Sequence, residues 1–143
     1  PLRQHLVETC GKRMRFVFRH FPLVETHAHA ELAAEAAEAA AAQGKFWEMH
    51  HLLFSPPHQL TLAALTAHAK SIGLDMNRFN GEMADRIYTQ RIHEHRRAGD
   101  RRGIRATPAF FLDGAPVDVS FGFEKLEQAI RTALDAAPHP ERQ

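Results

Sequence analysis

Apolar residues recur along this chain with two different periods, and the periods predict its elements. Leu2, Leu6 and Val7 lie on a short helical stripe over Leu2 to Cys10, closed by Gly11. From Arg13 to His20 the period falls to two. Met14, Phe16 and Phe18 alternate with Arg13, Arg15, Val17 and Arg19, the pattern of a half-buried strand. Phe21-Pro22 ends it, since proline cannot donate to a ladder. His27 to Gln43 is alanine-rich and predicts a helix, with Glu31, Glu35 and Glu38 expected as one solvated stripe. Gly44 closes that helix. Lys45 to Phe54 predicts the next, with Phe46, Met49, Leu53 and Phe54 on one face, and Ser55-Pro56-Pro57 breaks it. Thr61 is placed as the N-cap of a helix carrying Leu62, Leu65, Ala69 and Ile72, and Asp75 as the cap of one carrying Met76, Phe79 and Met83. Ile87 to Arg102 is expected to be helical, with Ile87, Tyr88 and Ile92 inward. Ala109 to Asp113 then reads as a strand, Asp113-Gly114 as a hairpin turn and Pro116 to Val119 as the return strand. Glu124 to Leu134 is amphipathic, with Leu126, Ala129, Ile130, Ala133 and Leu134 together.

A hairpin needs a partner, and Arg13 to His20 is the other strand in the pattern. The expected fold class is therefore α/β with a helical insertion. Residues 1–23 and 103–136 form the α/β part, 24–102 the helical insertion and 137–143 a polar tail. No internal repeat or interdomain linker interrupts this scheme.

Composition narrows the chemistry. The 143 residues are 44% hydrophobic and 24% charged, a globular profile for one domain. Eighteen basic and 17 acidic residues leave a net charge of +1, which argues against a dedicated nucleic-acid or polybasic membrane binder. No apolar run reaches the ~18 residues of a membrane span. The single cysteine, Cys10, excludes an internal disulfide, a C-x-x-C pair and cysteine-rich zinc sites within these residues. Beside Lys12 and Arg13, Cys10 reads either as a reactive thiol or as a small residue at a helix end. The second reading is preferred, because no base or resolving cysteine is evident.

The histidines are expected to be solvated or capping residues rather than a metal site. His27/His29 and His93/His95 are H-x-H pairs, and residues two apart on a helix point about 200° from each other. His27 with Glu31 has chelating spacing, whereas His50-His51 lacks the H-E-x-x-H pattern. Arg96, Arg97, Arg101, Arg102 and Arg105 cluster, but Glu94 and Asp100 dilute their field, so a solvated helix face is expected rather than an anion site. Phe46 is expected in the core. Trp47 is divided evenly between the core and an apolar groove.

The motifs in order resemble one family. RFVFRHFPL at 15–23, AAEAAEAA at 33–40, QGKFWEMHHLLF at 43–54, IGLDMNRF at 72–79, GIRATPAFFLDG at 103–114 and FEKLEQAI near the end look like the DsbA-like thioredoxin-fold family. The resemblance covers nearly the whole chain. It implies a thioredoxin fold with an inserted helical domain, and thiol–disulfide exchange on protein dithiols and disulfides through a C-x-x-C at the start of the first helix. Pro1 resembles the proline a few residues beyond the second family cysteine. The first strand and the C-x-x-C are therefore expected upstream of Pro1, in a segment of roughly 10–15 residues. No catalytic residue is assigned within the chain, and no cofactor or metal is expected.

The resemblance also implies a substrate-binding loop. Thr107-Pro108 matches the family's cis-proline loop, and Ala106, Thr107 and Pro108 are the expected substrate contacts, pairing by β-augmentation with an extended peptide. Ala106 and Ala109 depart from the usual Gly and Thr or Ser. The expected partners are protein or peptide thiols and a redox partner protein, with no nucleic acid. A sheet lacking its first strand is also expected to associate with itself. The rival readings are a redox-inactive thioredoxin-fold module that binds peptides, a glutathione-dependent isomerase or transferase relative, and, least favoured, an all-helical nucleic-acid binder. Compartment is left open.

Overall fold

A computed structural model of the protein describes residues 2–23 and 29–137. The chain divides into two compact units: Pro1–Phe18 with Ile104–Gln143, and Arg19–Gly103.

The first unit is built on two helices and a hairpin. Helix α1 spans Leu2–Cys10 and continues into a 3-10 turn at Gly11–Arg13. Gly11 takes a φ of +58°, a left-handed conformation that glycine adopts without a Cβ penalty. After the long insertion come β1 (Phe110–Leu112), β2 (Ala115–Val117) and an amphipathic helix at Glu124–Ala136. The hairpin register pairs Phe110 with Val117 and Leu112 with Ala115. Asp113 and Gly114 both have positive φ (48° and 83°), which a two-residue turn matched to strand twist requires. The return strand therefore starts one residue earlier than the sequence suggests, and Pro116 lies within it. Leu6, Cys10, Leu126 and Ile130 form the buried core, flanked by Met14, Phe16, Phe110, Leu112 and Val117. Val7, expected on the inner stripe of α1, is instead 39% exposed.

The expected strand at Arg13 to His20 is corrected in one respect. Its alternation is real: Met14, Phe16 and Phe18 are half-buried while Arg15, Val17 and Arg19 face solvent. Among the described residues, however, the only ladder is β1 with β2. The hairpin does not pair with this segment. Packing of Met14 and Phe16 on the first unit's core accounts for the alternation without a ladder.

The second unit is helical. Helix α2 (Ala30–Ala42) is its centre, surrounded by α3 (Phe46–Leu53), α4 (Leu62–Ser71), α5 (Met76–Ala84) and α6 (Thr89–Arg101), so the C-terminal helix is α7. Both predicted caps form. Thr61 Oγ1 accepts from the Ala64 amide at 3.3 Å, and Asp75 Oδ1 from the Arg78 amide at 3.1 Å. Ala36, Ala39 and Ala40 are fully buried, and their small side chains let Met49, Leu65 and Phe79 reach the α2 backbone closely. Three residues expected on inward apolar stripes are not inward: Phe54 is 56% exposed, and Leu62 and Ile87 are each 53% exposed. Ile87 is displaced by a corner at Arg86, whose φ of +52° interrupts the helix, so α6 begins only at Thr89.

Candidate functional site

The expected substrate loop lies in the first unit. Gly103, at a φ of +77°, ends the α6 region and turns the chain toward the hairpin. Ala106, Thr107 and Pro108 follow in a bend, all exposed, and the Thr107–Pro108 peptide is cis. Phe110 begins β1 immediately afterwards and packs edge-on against Phe123, with ring centroids 5.7 Å apart. The loop is thus anchored at its exit by a half-buried aromatic while its own backbone faces solvent. Among the described residues, neither Ala106 nor Thr107 has a backbone hydrogen bond within the chain.

Cys10 is buried beside Leu6, Leu126 and Ile130, a packing environment rather than a reactive one. Arg13, weighed as a neighbour that would favour a thiolate, instead donates from Nη2 to the Leu134 carbonyl in the last turn of α7. On the other side of α1, His5 Nε2 lies 3.3 Å from Glu127, which also accepts from Arg131 at 2.7 Å. Those two bonds hold the Glu127 carboxyl below the usual carboxylate range.

In the second unit the glutamates of α2 are the largest departure from expectation. They do not form a solvated stripe: Glu35 is 1% exposed and Glu38 7%. Arg86 donates from Nε to both Glu35 oxygens at 2.9 Å, and Thr89 Oγ1 donates to the same carboxylate at 2.8 Å. Glu38 accepts from His20 Nε2 at 2.8 Å and Arg91 Nη1 at 2.9 Å. The His20 bond, with Arg91 beside it, overcomes the cost of burial and holds the Glu38 carboxyl at about 2. Glu31 meets His93 Nε2 at 3.1 Å. The signal that could have found this is charge complementarity. Arg86, Arg91 and His93, which meet Glu31, Glu35 and Glu38, lie close together on one segment of the sequence.

The histidines divide as helical geometry requires. His93 and His95 face different partners, Glu31 and the His20 amide. His29 precedes the first turn of α2 without a side-chain capping bond, and His27 lies outside the described residues. No group of three or more potential metal ligands occurs among the described residues. The arginine run is not uniformly solvated, because Arg96 lies 4.2 Å over the Phe21 ring and donates to the Pro22 carbonyl. Phe46 and Trp47 are partly buried and meet edge-to-face at 4.8 Å, with His50 and then Phe54 continuing the aromatic row.

Comparison with known proteins places these features in context. Residues 4–131 match the family described as DSBA-like thioredoxin domain. A crystal structure of a thioredoxin-like oxidoreductase from Silicibacter pomeroyi superposes with a TM-score of 0.79 at 27% identity, covering 94% of this chain and 76% of that one. Among curated proteins, the chain is 41% identical over 124 residues to Na(+)/H(+) antiporter NhaA 3 of Salinispora tropica, covering 87% of this chain and 19% of that protein. It is 42% identical over 121 residues to Na(+)/H(+) antiporter NhaA 1 of Salinispora arenicola, covering 85% of this chain and again 19% of the relative. The chain thus spans about a fifth of the length of the curated relatives it matches. Among the described residues, no helix is long and apolar enough to cross a membrane. The match over residues 4–131, together with the thioredoxin-like fold, means that this chain belongs to the DSBA-like thioredoxin domain family.

Proposed function

We propose that this chain is the substrate-binding and structural part of a thiol–disulfide oxidoreductase acting on protein dithiols and disulfides. The observation that carries the reading is the structural match, over 94% of the chain, to a thioredoxin-like oxidoreductase. Exchange proceeds by thiolate attack on a disulfide sulfur, through a mixed disulfide that a second thiol resolves. The 143 residues hold one cysteine, and it is buried. The reading therefore assigns both exchanging thiols to sequence preceding Pro1. Ala106, Thr107 and Pro108 supply the surface on which an extended substrate lies, with the exposed Thr107 backbone pairing to it.

Insulin-disulfide reduction tests this, using the protein with the sequence that precedes Pro1. Turnover is expected from that protein and not from residues 1–143 alone. Thr107→Pro, which removes the backbone N–H offered to substrate, is expected to lower kcat/KM by up to about tenfold, the worth of one ordinary hydrogen bond. An upstream sequence without a cysteine pair would sink the redox reading.

The relatives favour a second reading. Because the chain matches about a fifth of proteins named Na(+)/H(+) antiporters, the same fold would serve as a redox-inactive, partner-binding module of a transporter. That reading predicts no insulin reduction by the complete protein, and sodium-dependent proton exchange in vesicles reconstituted with it.

A further inference from the structure

His95 sits where the segment Arg19–Leu23 crosses α6, and its two ring nitrogens have different neighbours. Nδ1 lies 3.2 Å from the His20 backbone nitrogen, which can only donate. Nδ1 must therefore present its lone pair, so the ring is neutral and carries its proton on Nε2. Nε2 faces Arg19 Nη1 at 3.5 Å. With a proton on Nε2 that approach is between two donors, so it crowds charge instead of bonding. The His95 ring also stacks on the His20 ring, with centroids 5.4 Å apart and planes 17° from parallel.

The surrounding charges are set by three elements. Arg19 and His20 come from the segment itself, Glu38 from α2, and Arg91 and Arg96 from α6. Among the described residues, Glu38 is the one opposite charge that bears on the ring, and it is already engaged by His20 and Arg91. Among the described residues, a proton added to His95 would find no acceptor of its own there. It would also convert Nδ1 from an acceptor into a donor aimed at the His20 N–H. Burial, then the His20 and Arg19 charges, correspondingly hold the His95 ring below its ordinary value of 6.5.

We propose that His95 is an acid-operated latch on His20: neutral, it clasps the His20 amide to α6, and on gaining a proton it lets that amide go, while Arg96 keeps Phe21 and Pro22 on α6. The release is local. His20 Nε2 still donates to Glu38 through the same range, because that carboxyl stays ionised down to about 2. The segment thus loses one of its ties to α6, while the Arg96 contacts to Phe21 and Pro22 and the His20 anchor on α2 persist.

Amide hydrogen exchange on the full chain, corrected for intrinsic rates, tests the latch. Between about pH 7.5 and about pH 5, protection of the His20 amide is expected to fall roughly tenfold, the equilibrium equivalent of one hydrogen bond. His95→Asn keeps an acceptor near the Nδ1 position but does not titrate. It is expected to abolish that fall, while His93→Asn leaves it intact. An equal pH response in His95→Asn and the parent chain, or no response in the parent, overturns the proposal. Should His95→Asn fail to fold, magnetic resonance on the parent chain decides. The His95 ring and the His20 amide must titrate together with a midpoint below 6.5. A higher midpoint, or a His20 amide signal that stays flat, overturns the proposal.

Discussion

At the scale of single residues, the buried carboxylate of Glu35 shows why an ion pair cannot be judged from either partner alone. Glu35 is enclosed, whereas its partner Arg86 has about half of its side chain in solvent. Removing Glu35 leaves a guanidinium that water can still solvate. Removing Arg86 leaves a carboxylate in the core with only Thr89 to donate to it. Arg86→Met is therefore expected to cost about 3 kcal/mol, the range found when a buried charge loses its partner. Glu35→Gln is expected to cost about half as much. Urea unfolding of the two variants checks the order. Equal losses would mean that the Arg86 charge, not the Glu35 burial, governs the pair.

Elements were legible in the sequence to different degrees, for physical reasons. The α2 alanine face is one example. Ala36, Ala39 and Ala40 have no exposed surface, so Ala36→Leu would overfill the α2 contact and is expected to cost about 1–3 kcal/mol in thermal or denaturant unfolding. The hairpin is another. Gly114→Ala meets no neighbour within 4 Å, so its expected cost of roughly 1–2 kcal/mol comes from the left-handed backbone alone. Both features could be read beforehand, because propensity and turn chemistry are local. The caps at Thr61 and Asp75 were legible for the same reason. The glutamates were not. On a helix of alanine and glutamate the charged residues look like the wet face, and only a facing helix rich in arginine and histidine makes that face an interior one. The Ile87 misplacement shares this origin, since it follows the corner at Arg86, whose side chain is held on Glu35 of another helix. Phe54 instead caps α3 at the Ser55-Pro56-Pro57 break and so leaves the helical face. Among the candidate-site residues, the Thr107-Pro108 loop was reached through the family resemblance of the motif around it. The His20–Glu38–His95 cluster was not, because its members lie far apart in the sequence.

For the whole molecule, pH is the readiest probe. Glu38 has its folded value depressed from 4.5 to about 2, so its contribution is fully present above 4.5 and is lost as pH falls through about 2. His95 is also depressed in the folded state, from 6.5. The unfolded chain therefore takes up the His95 proton first, and stability declines as pH drops below 6.5. The expected melting profile descends in two stages from neutral pH, the first assigned to His95 and the second to Glu38. Scanning calorimetry of the full chain between about pH 7.5 and about pH 2 measures it. Loss of the second stage alone in Glu38→Gln would assign it, whereas a profile flat from pH 7.5 to 5 would contradict the first.

The two units differ in how they use the chain. Residues 19–103 are continuous, whereas the first unit joins residues 1–18 to residues from 104 onward. During synthesis the helical unit is complete and able to fold while α7 has yet to be made. Helix α1, made before the helical unit, must wait with Leu6 and Cys10 uncovered until Leu126 and Ile130 arrive. Closing so long a loop adds only a logarithmic entropy penalty once the insertion is compact, but it sets an order. Residues translated before the helical unit are thus buried after it, and in that interval Leu6 and Cys10 are the surface that a chaperone or an oxidant would meet.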